Sequence, residues 1–475
     1  MFNLLFLSLL IARFWQLGLK PVHHDESING WFVTQMWQTG SFHFDPSNYH
    51  GPLLFYFFQM AEALGGWGIE SFRFVTVLFS VMTIVWLFKW GQRRFGLAGW
   101  WALGLALSPG SLFFSRSAIH ESVFVFFTVM AATSWIDAWC LRRPKQIVLF
   151  LYGLTGALLL KETFAIPLAI GALVSVPVMA RAEKWQPVWA ERRRLAFHTL
   201  ICIFLWALFY SGFFRYPQGL LDFFNAFLPW AKTGVSGHGH EKEFWYWFKL
   251  LWSYEEATIF ALALVVWGLF MRGWVGGVCL WALGILLMYS FVPYKTPWCL
   301  ISIQLPIWIA AVVVVGKSSF FVRQISNVLL MAFGVFSSSM WVALNFEKVL
   351  TPHPYIYVQS SYEAKAFVES LIQQAKDFPE RRQAHLQFAT SESWPFPWWL
   401  SIYPHQASLP IARGLDANAD MILVDEPNHE DVEKKLKEPY WKARFPVRDA
   451  RIEAIAYLRK SRFDCPFATC EEFLP

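Results

Sequence analysis

The succession of long apolar runs limits what this chain can fold into more than any other feature of its sequence. A bilayer core of about 30 Å is crossed by roughly 17–25 apolar residues in a helix. Runs of that kind lie near 2–19, 70–90, 97–114, 119–140, 146–160, 163–180, 196–213, 257–271, 274–291, 298–316 and 325–344. About eleven transmembrane helices are therefore expected. Lys161-Glu162 separates the fifth run from the sixth, because two charges are costly at mid-bilayer and comfortable in a tight turn outside it. Only 16% of the residues are charged, against about 25% in soluble domains, so much of the chain must face something other than water. Met1 to Leu19 has no basic leader and no small-residue cleavage site, and Arg13 interrupts its apolar stretch. A retained first helix is expected rather than a signal peptide.

The basic residues fall in alternate loops: Arg93 and Arg94; Arg142, Arg143 and Lys145; Arg181, Lys184, Arg192, Arg193 and Arg194; Arg272; Lys317 and Arg323. Such loops mark the cytoplasmic face. The loop at 20–69, the turns at 114–119, 161–162 and 291–297, the loop at 213–256 and everything after about 345 are then expected on the other side. The net charge of +6 is too diffuse for a nucleic-acid partner, and the 27 Trp suit the interface belts of a lipid bilayer as well as packed cores. A multi-pass protein of the cytoplasmic (inner) membrane follows, with a membrane domain over 1–345 and an extracytoplasmic domain over 346–475.

From 346 onward the composition becomes that of a soluble protein. An amphipathic helix is expected over 361–377, strands at His385–Thr390 and Met421–Asp425, a charged helix over 429–438 and a further strand over 451–459. That alternation predicts a small α/β domain. It has no Gly-rich phosphate fingerprint, so nucleotide binding has no support. The aromatic segment Trp394 to Trp399 can lean on the membrane surface, lean on the large outer loop, or be core. Cys465 and Cys470 can form a disulfide in an oxidising compartment, whereas Cys140, Cys202, Cys279 and Cys299 lie in or beside spans as small apolar residues.

Polar residues that can do chemistry gather in the loops away from the basic side. The first such loop holds His23-His24-Asp25-Glu26, Asp45 and Tyr49-His50-Gly51-Pro52. A carboxylate there can take a proton from an acceptor hydroxyl if it stays ionised in a cleft; the plainer reading is a helix start capped by Asp25 or Ser27. Arg73, Arg116, His120-Glu121, Lys161-Glu162 and Tyr294-Lys295 lie toward the same face. Arginine and lysine near spans are costly, and several converging would suit a phosphate; they can equally pair with Asp25, Glu26 or Glu121. His23, His50, His238 and His240 are the candidate ligands for a divalent cation, although two His on the Gly-rich stretch Gly234 to His240 are a weak signal. The sequence names no cofactor.

Taken in order, Asp25-Glu26, His50-Gly51-Pro52, Arg73, Arg116 and the YKTPW stretch at 294–298 resemble the GT-C membrane glycosyltransferases. The dolichyl-phosphate-mannose–protein mannosyltransferases are well-known relatives, and the closer likeness is to a prokaryotic branch described as flippase-activity-associated proteins. The resemblance implies a GT-C-like polytopic helical fold and a transferase whose sugar is carried on a polyprenyl phosphate. It implies Asp25 as the base, with Glu26 in support. Arg73, Arg116, Lys295 and Tyr294 would bind the donor phosphate, and His24, His50, Gly51, Pro52, Glu121, Lys161 and Glu162 would support the site. Here Glu121 stands near where an Asp is expected. A lipid-linked saccharide flippase or accessory transporter without catalysis is the competing reading, and a receptor or assembly protein a third. Neither the sugar nor the acceptor is legible.

Overall fold

The computed structural model describes residues 2–179, 190–236, 239–271, 273–347, 353–390, 393–408, 414–416, 419–448, 453–468 and 470–474. Arg181, Lys184, His238 and Arg272 lie outside the described residues. The chain divides into two compact units, Met1–Leu17 with Gln35–Val349 and Gly18–Thr34 with Leu350–Pro475. The segment that opens on the acidic pair therefore belongs with the C-terminal residues rather than with the helices on either side of it.

The first unit is helical. Its elements are α1 (Phe2–Ala12), the end of α2 (His24–Thr39), α3 (Leu53–Gly65), α4 (Ile69–Phe95), α5 (Ala102–Leu107), α6 (Pro109–Ser115), α7 (His120–Trp135), α8 (Ile147–Leu158), α9 (Ala165–Met179) and α10 (Arg192–Tyr210). They are followed by α11 (Gly219–Asn225), α12 (Phe227–Ser236), α13 (Tyr246–Tyr254), α14 (Glu256–Gly268), α15 (Trp274–Phe291), α16 (Leu300–Lys317) and α17 (Phe320–Phe346). Helix stands at each of the eleven apolar runs, and the chain is a polytopic membrane protein. Among the described residues, however, only five helical runs are long and apolar enough to cross a bilayer alone, or six if the pair α13 and α14, bent by 119°, counts as one. The others are interrupted or short; α1, for example, ends at Ala12 rather than near 19.

Glycine sets the close packing of these helices. After α4 the chain reverses at Gly96, whose φ of 60° is left-handed, and returns so tightly that a Cβ on Gly91 would lie 2.7 Å from the Gly99 Cα. Small residues let backbones approach in this way where lipid gives no hydrophobic drive between helices. A Cβ on Gly104 would strike the ring of Trp308, and one on Gly156 the ring of Phe127. Helix α16 is buried from Leu300 to Val315 and forms the middle of the bundle. Its one amide, Gln304, donates to Ser108 (3.0 Å) and Thr258 (3.2 Å), as a buried polar side chain must find partners.

The second unit is an α/β domain. A six-stranded sheet runs β2 (His405–Ser408), β1 (His385–Ala389), β3 (Met421–Asp425), β5 (Glu453–Arg459), β4 (Tyr440–Pro446) and β6 (Glu471–Phe473). β1 pairs in parallel with β2 and β3, and the remaining pairs are antiparallel. Helix α18 (Tyr362–Asp377) is capped by Ser361, whose hydroxyl accepts the Ala364 N–H at 2.8 Å. It buries Ala364, Phe367, Val368 and Leu371 along one face. The segment Trp394 to Trp399 is core: it forms α19 (Phe396–Trp399), with Phe396, Trp398 and Trp399 buried. The charged helix expected over 429–438 is only α20 (His429–Glu433), with Lys434 to Pro439 needed to lead into β4. Cys465 and Cys470 are joined as a disulfide.

Burial lowers the His353 imidazole to about 4, and the charge of Lys20 acts in the same direction. The unfolded chain takes up a proton on this group near the ordinary value of 6.5, whereas the folded chain does not until about 4. Stability is therefore lost as pH falls through that window and returns as pH rises. Thermal unfolding from pH 7 to 4 should show a shallower acid decline in His353→Gln than in the wild type; parallel curves would remove His353 from the account.

Candidate functional site

Two clusters of buried polar side chains form in the first unit, and one segment carrying the acidic pair forms in the second. The first cluster begins with His50-Gly51-Pro52. Gly51 donates its N–H to the Leu160 carbonyl (3.0 Å) and Leu53 donates to Leu159 (3.0 Å), so the chain before α3 lies flat on the end of α8. A Cβ on Gly51 would stand 2.2 Å from the Leu159 carbonyl oxygen, so no other residue fits. That approach sets His50 Nδ1 3.1 Å from a Glu162 carboxylate oxygen, with the His50 ring 4.6 Å from the ring of His120. Beside them Lys161 Nζ donates to Glu121 at 2.7 Å, both side chains nearly water-free. The Cys299 thiol reaches the same Glu121 oxygen at 3.4 Å. Five residues expected to support the site (His50, Gly51, Glu121, Lys161 and Glu162) thus meet as one network, with His120 added to them. Burying the Lys161–Glu121 ion pair is justified energetically only where each charge keeps a partner.

The second cluster is made of guanidinium groups. Arg116 donates through Nη1 to the carbonyls of Arg13 (3.0 Å) and Trp15 (2.6 Å), and through Nη2 to Gln16 (3.0 Å). Arg73 donates to the Leu17 carbonyl at 2.7 Å. Arg13 itself, fully buried, reaches Ser80, Ser111, Ser115, Leu105 and Ala106 at 2.9–3.3 Å. The two arginines expected on a phosphate therefore grip the backbone carbonyls of 13–17. Glu121, one of the three carboxylates expected as possible partners beside Asp25 and Glu26, holds Lys161. The Nε–H groups of Arg13 and Arg116 are buried without a hydrogen-bond partner among the described residues. Arg13, read in the sequence only as an interruption, is the centre of this cluster; a lone charge inside an apolar run was the available signal.

Lys295 stands apart from a carboxylate as well. It donates to the carbonyls of Lys242 (3.0 Å) and Val292, and burial lowers its pKa from the ordinary lysine value. Its chain is tied down by Lys242 N–H to Pro293 and Lys295 N–H to His240. Tyr294 bridges Glu241 and packs its ring 5.1 Å from His240.

In the second unit the acidic pair divides its roles. His23 N–H donates to Glu26 at 2.8 Å, so Glu26, wholly buried, caps the start of α2. The cap falls to Glu26 rather than to Asp25 or Ser27. Asp25 N–H is held by His23 Nδ1 at 3.0 Å, while its carboxylate, half-exposed, makes no hydrogen bond or ion pair among the described residues. The C-terminal residues clamp this segment. Arg448 Nη2 donates to His24 Nδ1 (2.7 Å), Ser360 donates to the Val22 carbonyl through N–H and hydroxyl, and Lys365 donates to Gly18 and Leu19. A Cβ on Gly30 would fall 2.2 Å from the Trp398 ring. Of the proposed metal ligands, His23 is engaged here, His50 is on Glu162 and His240 is against Tyr294. Among the described residues no group of three His, Cys, Asp or Glu side chains stands where it could hold a metal ion.

No family model and no curated protein sequence matches the chain. Its fold is similar to that of ArnT from Cupriavidus metallidurans. In the crystal structure bound to undecaprenyl phosphate the TM-score is 0.70 at 13% identity, covering 96% of this chain and 97% of that one. The apo state of the same protein gives 0.64 with equal identity and coverage. The likeness runs the length of both chains and shows that they share a fold.

Gly51→Ala should lower stability by about 1–3 kcal/mol, because the added methyl meets backbone that cannot turn away. Gly171→Ala, whose Cβ would find its nearest neighbour at an ordinary 3.5 Å, should leave stability unchanged or raised. Thermal unfolding in detergent distinguishes them, and equal melting points would contradict the packing of His50-Gly51-Pro52 on α8.

Proposed function

We propose that this membrane protein is a glycosyltransferase that moves a sugar, of hexose type, from a polyprenyl-phosphate donor to an acceptor hydroxyl. The reaction is placed on the extracytoplasmic face of the inner membrane, opposite the basic loops, where the C-terminal domain would also lie. The observation that carries the reading is the division within the acidic pair. Glu26 is consumed as a helix cap, while Asp25 is left with a free carboxylate on a segment clamped by the C-terminal residues. A general base needs that combination of an available carboxylate and a fixed position. The full-length likeness to ArnT, a protein crystallised with undecaprenyl phosphate, supports a lipid phosphate as the carrier.

In this reading the acceptor oxygen attacks the anomeric carbon as the bond from that carbon to the lipid phosphate breaks. Asp25 takes the hydroxyl proton, and the phosphate leaves with the bonding electrons, inverting the centre. Charge grows on the leaving phosphate. Arg73, Arg116 and Lys295 are the donors that would answer it; Arg116 and Lys295 hold neutral backbone carbonyls, which a phosphate oxygen outcompetes. Such fixed donors contribute about 3–4 kcal/mol each in other active sites. Tyr294 fixes Lys295 through its bridge to Glu241, and the His50, Glu121, Lys161 and Glu162 network fixes the helix ends.

Transfer from a panel of polyprenyl-phosphate sugars to hydroxyl acceptors, with purified protein in liposomes, tests the reading. Asp25→Asn should cost about 10²–10⁴-fold in kcat at unchanged melting temperature, whereas Glu26→Gln should lower the melting temperature. Equal rates for wild type and Asp25→Asn would remove the base. Lipid translocation without transfer from any donor would instead favour a transporter.

A further inference from the structure

The described residues of the first unit enclose an apolar slot of about 430 Å³ between α7, α8, α9 and α15, lined among others by Trp135, Trp139, Phe150, Leu168, Val176 and Trp281. That volume is within the range of sites for small ligands, roughly 300–1,000 Å³. The slot is held open by its glycines. Elsewhere in the bundle glycine brings helices into contact; a Cβ on Gly153 would be 2.6 Å from the Ala131 nitrogen. At Gly171 and Gly277 the nearest atoms would be 3.5 and 3.4 Å away, so these two glycines enlarge space rather than close it. Several polar atoms of its walls are satisfied from within. Trp135 Nε1 donates to Ser175 (3.0 Å), Trp281 Nε1 to the Pro167 carbonyl (3.0 Å) and Thr128 to the Phe124 carbonyl (2.9 Å). The rest of the lining is apolar, and a hydrocarbon chain needs no polar partner there. Leu168 and Val176 are 36% and 58% exposed, so the slot opens sideways toward lipid.

Its charge is at one end. Trp139 and Cys140, at the close of the α7 span, lead directly into Arg142, Arg143 and Lys145, all exposed. Across the mouth Trp274 has the Lys317 ammonium 5.9 Å from its ring centroid. Asp137, the acid nearest to this loop in the chain, is bound bidentately by Arg94 and cannot neutralise them. We propose that the slot holds an acyl chain of an anionic glycerophospholipid from the leaflet on the basic side, with its phosphate against Arg142, Arg143, Lys145 and Lys317. Basic pockets between spans recognise anionic headgroups in this way. The occupant is distinct from a polyprenyl-phosphate donor. The span from His120 to Cys140 puts about 30 Å between Glu121 and this mouth, so one phosphate cannot serve both ends.

The test uses full-length protein in phosphatidylcholine vesicles containing a minor fraction of phosphatidylglycerol with a diazirine on its acyl chain, read by mass spectrometry of the photolabelled peptides. Labels should fall on α7, α8, α9 and α15. Gly171→Leu, which fills the slot, should reduce them at least about fivefold. Replacing Arg142, Arg143 and Lys145 by Gln leaves the core untouched and should reduce phosphatidylglycerol labelling by more than about tenfold, from roughly fivefold per cation. Labelling of the matching phosphatidylcholine probe should be unmoved by that change. Equal labelling by the two probes, labels indifferent to both variants, or displacement by undecaprenyl phosphate would each overturn the assignment.

Discussion

The approach of Gly51 to the carbonyls of Leu159 and Leu160 is the contact on which the rest of the first unit's polar interior depends. It joins a loop to a helix end that lies more than a hundred residues away in the chain, and it does so by backbone hydrogen bonds that only a residue without a side chain permits. From it follow the position of His50 on Glu162, its tilted ring contact with His120, and the neighbouring pair of Lys161 with Glu121. Charges so placed hold each other in geometry while sparing the helices an uncompensated ion. The central helix α16, buried all round, gives these groups a rigid wall through Cys299.

Much of this was legible because hydropathy is a property of composition. The eleven apolar runs are all helical, and the turn at Lys161-Glu162 falls between α8 and α9 as the cost of buried charge requires. What hydropathy could not give was helix length, since a span interrupted by tertiary contacts has the same residues as a continuous one. In the soluble unit the strands at Met421–Asp425 and Glu453–Arg459 stood out through their apolar runs. His405–Ser408 and Glu471–Phe473 did not, being short polar edge strands that take their conformation from a neighbour.

The site was legible as an inventory and illegible as a set of partnerships. His50-Gly51-Pro52 was visible as a motif, but nothing local to it points to Leu159. Asp25 and Glu26 are adjacent acids with equal claims until the backbone of His23 chooses one as a cap. Arg73 and Arg116 were sorted by charge toward phosphates or carboxylates, whereas they hold carbonyls of 13–17. Backbone acceptors are everywhere in a sequence and so mark nothing.

The clamp on the acidic segment has a consequence for how the protein is made. Val22 is bonded to Ser360 and His24 to Arg448, contacts that span 338 and 424 residues. At about 5–20 residues per second, on the order of twenty seconds to over a minute separates synthesis of Asp25 from synthesis of the residues that hold it. The acid leaves the ribosome well before the residues that hold it and is seated only after them. A chain cut short after the first unit but before Arg448 would carry the helices of that unit and both buried clusters, yet its acidic segment would have lost part of its clamp. Synthesis as far as Arg448 is thereby written into the geometry around one carboxylate.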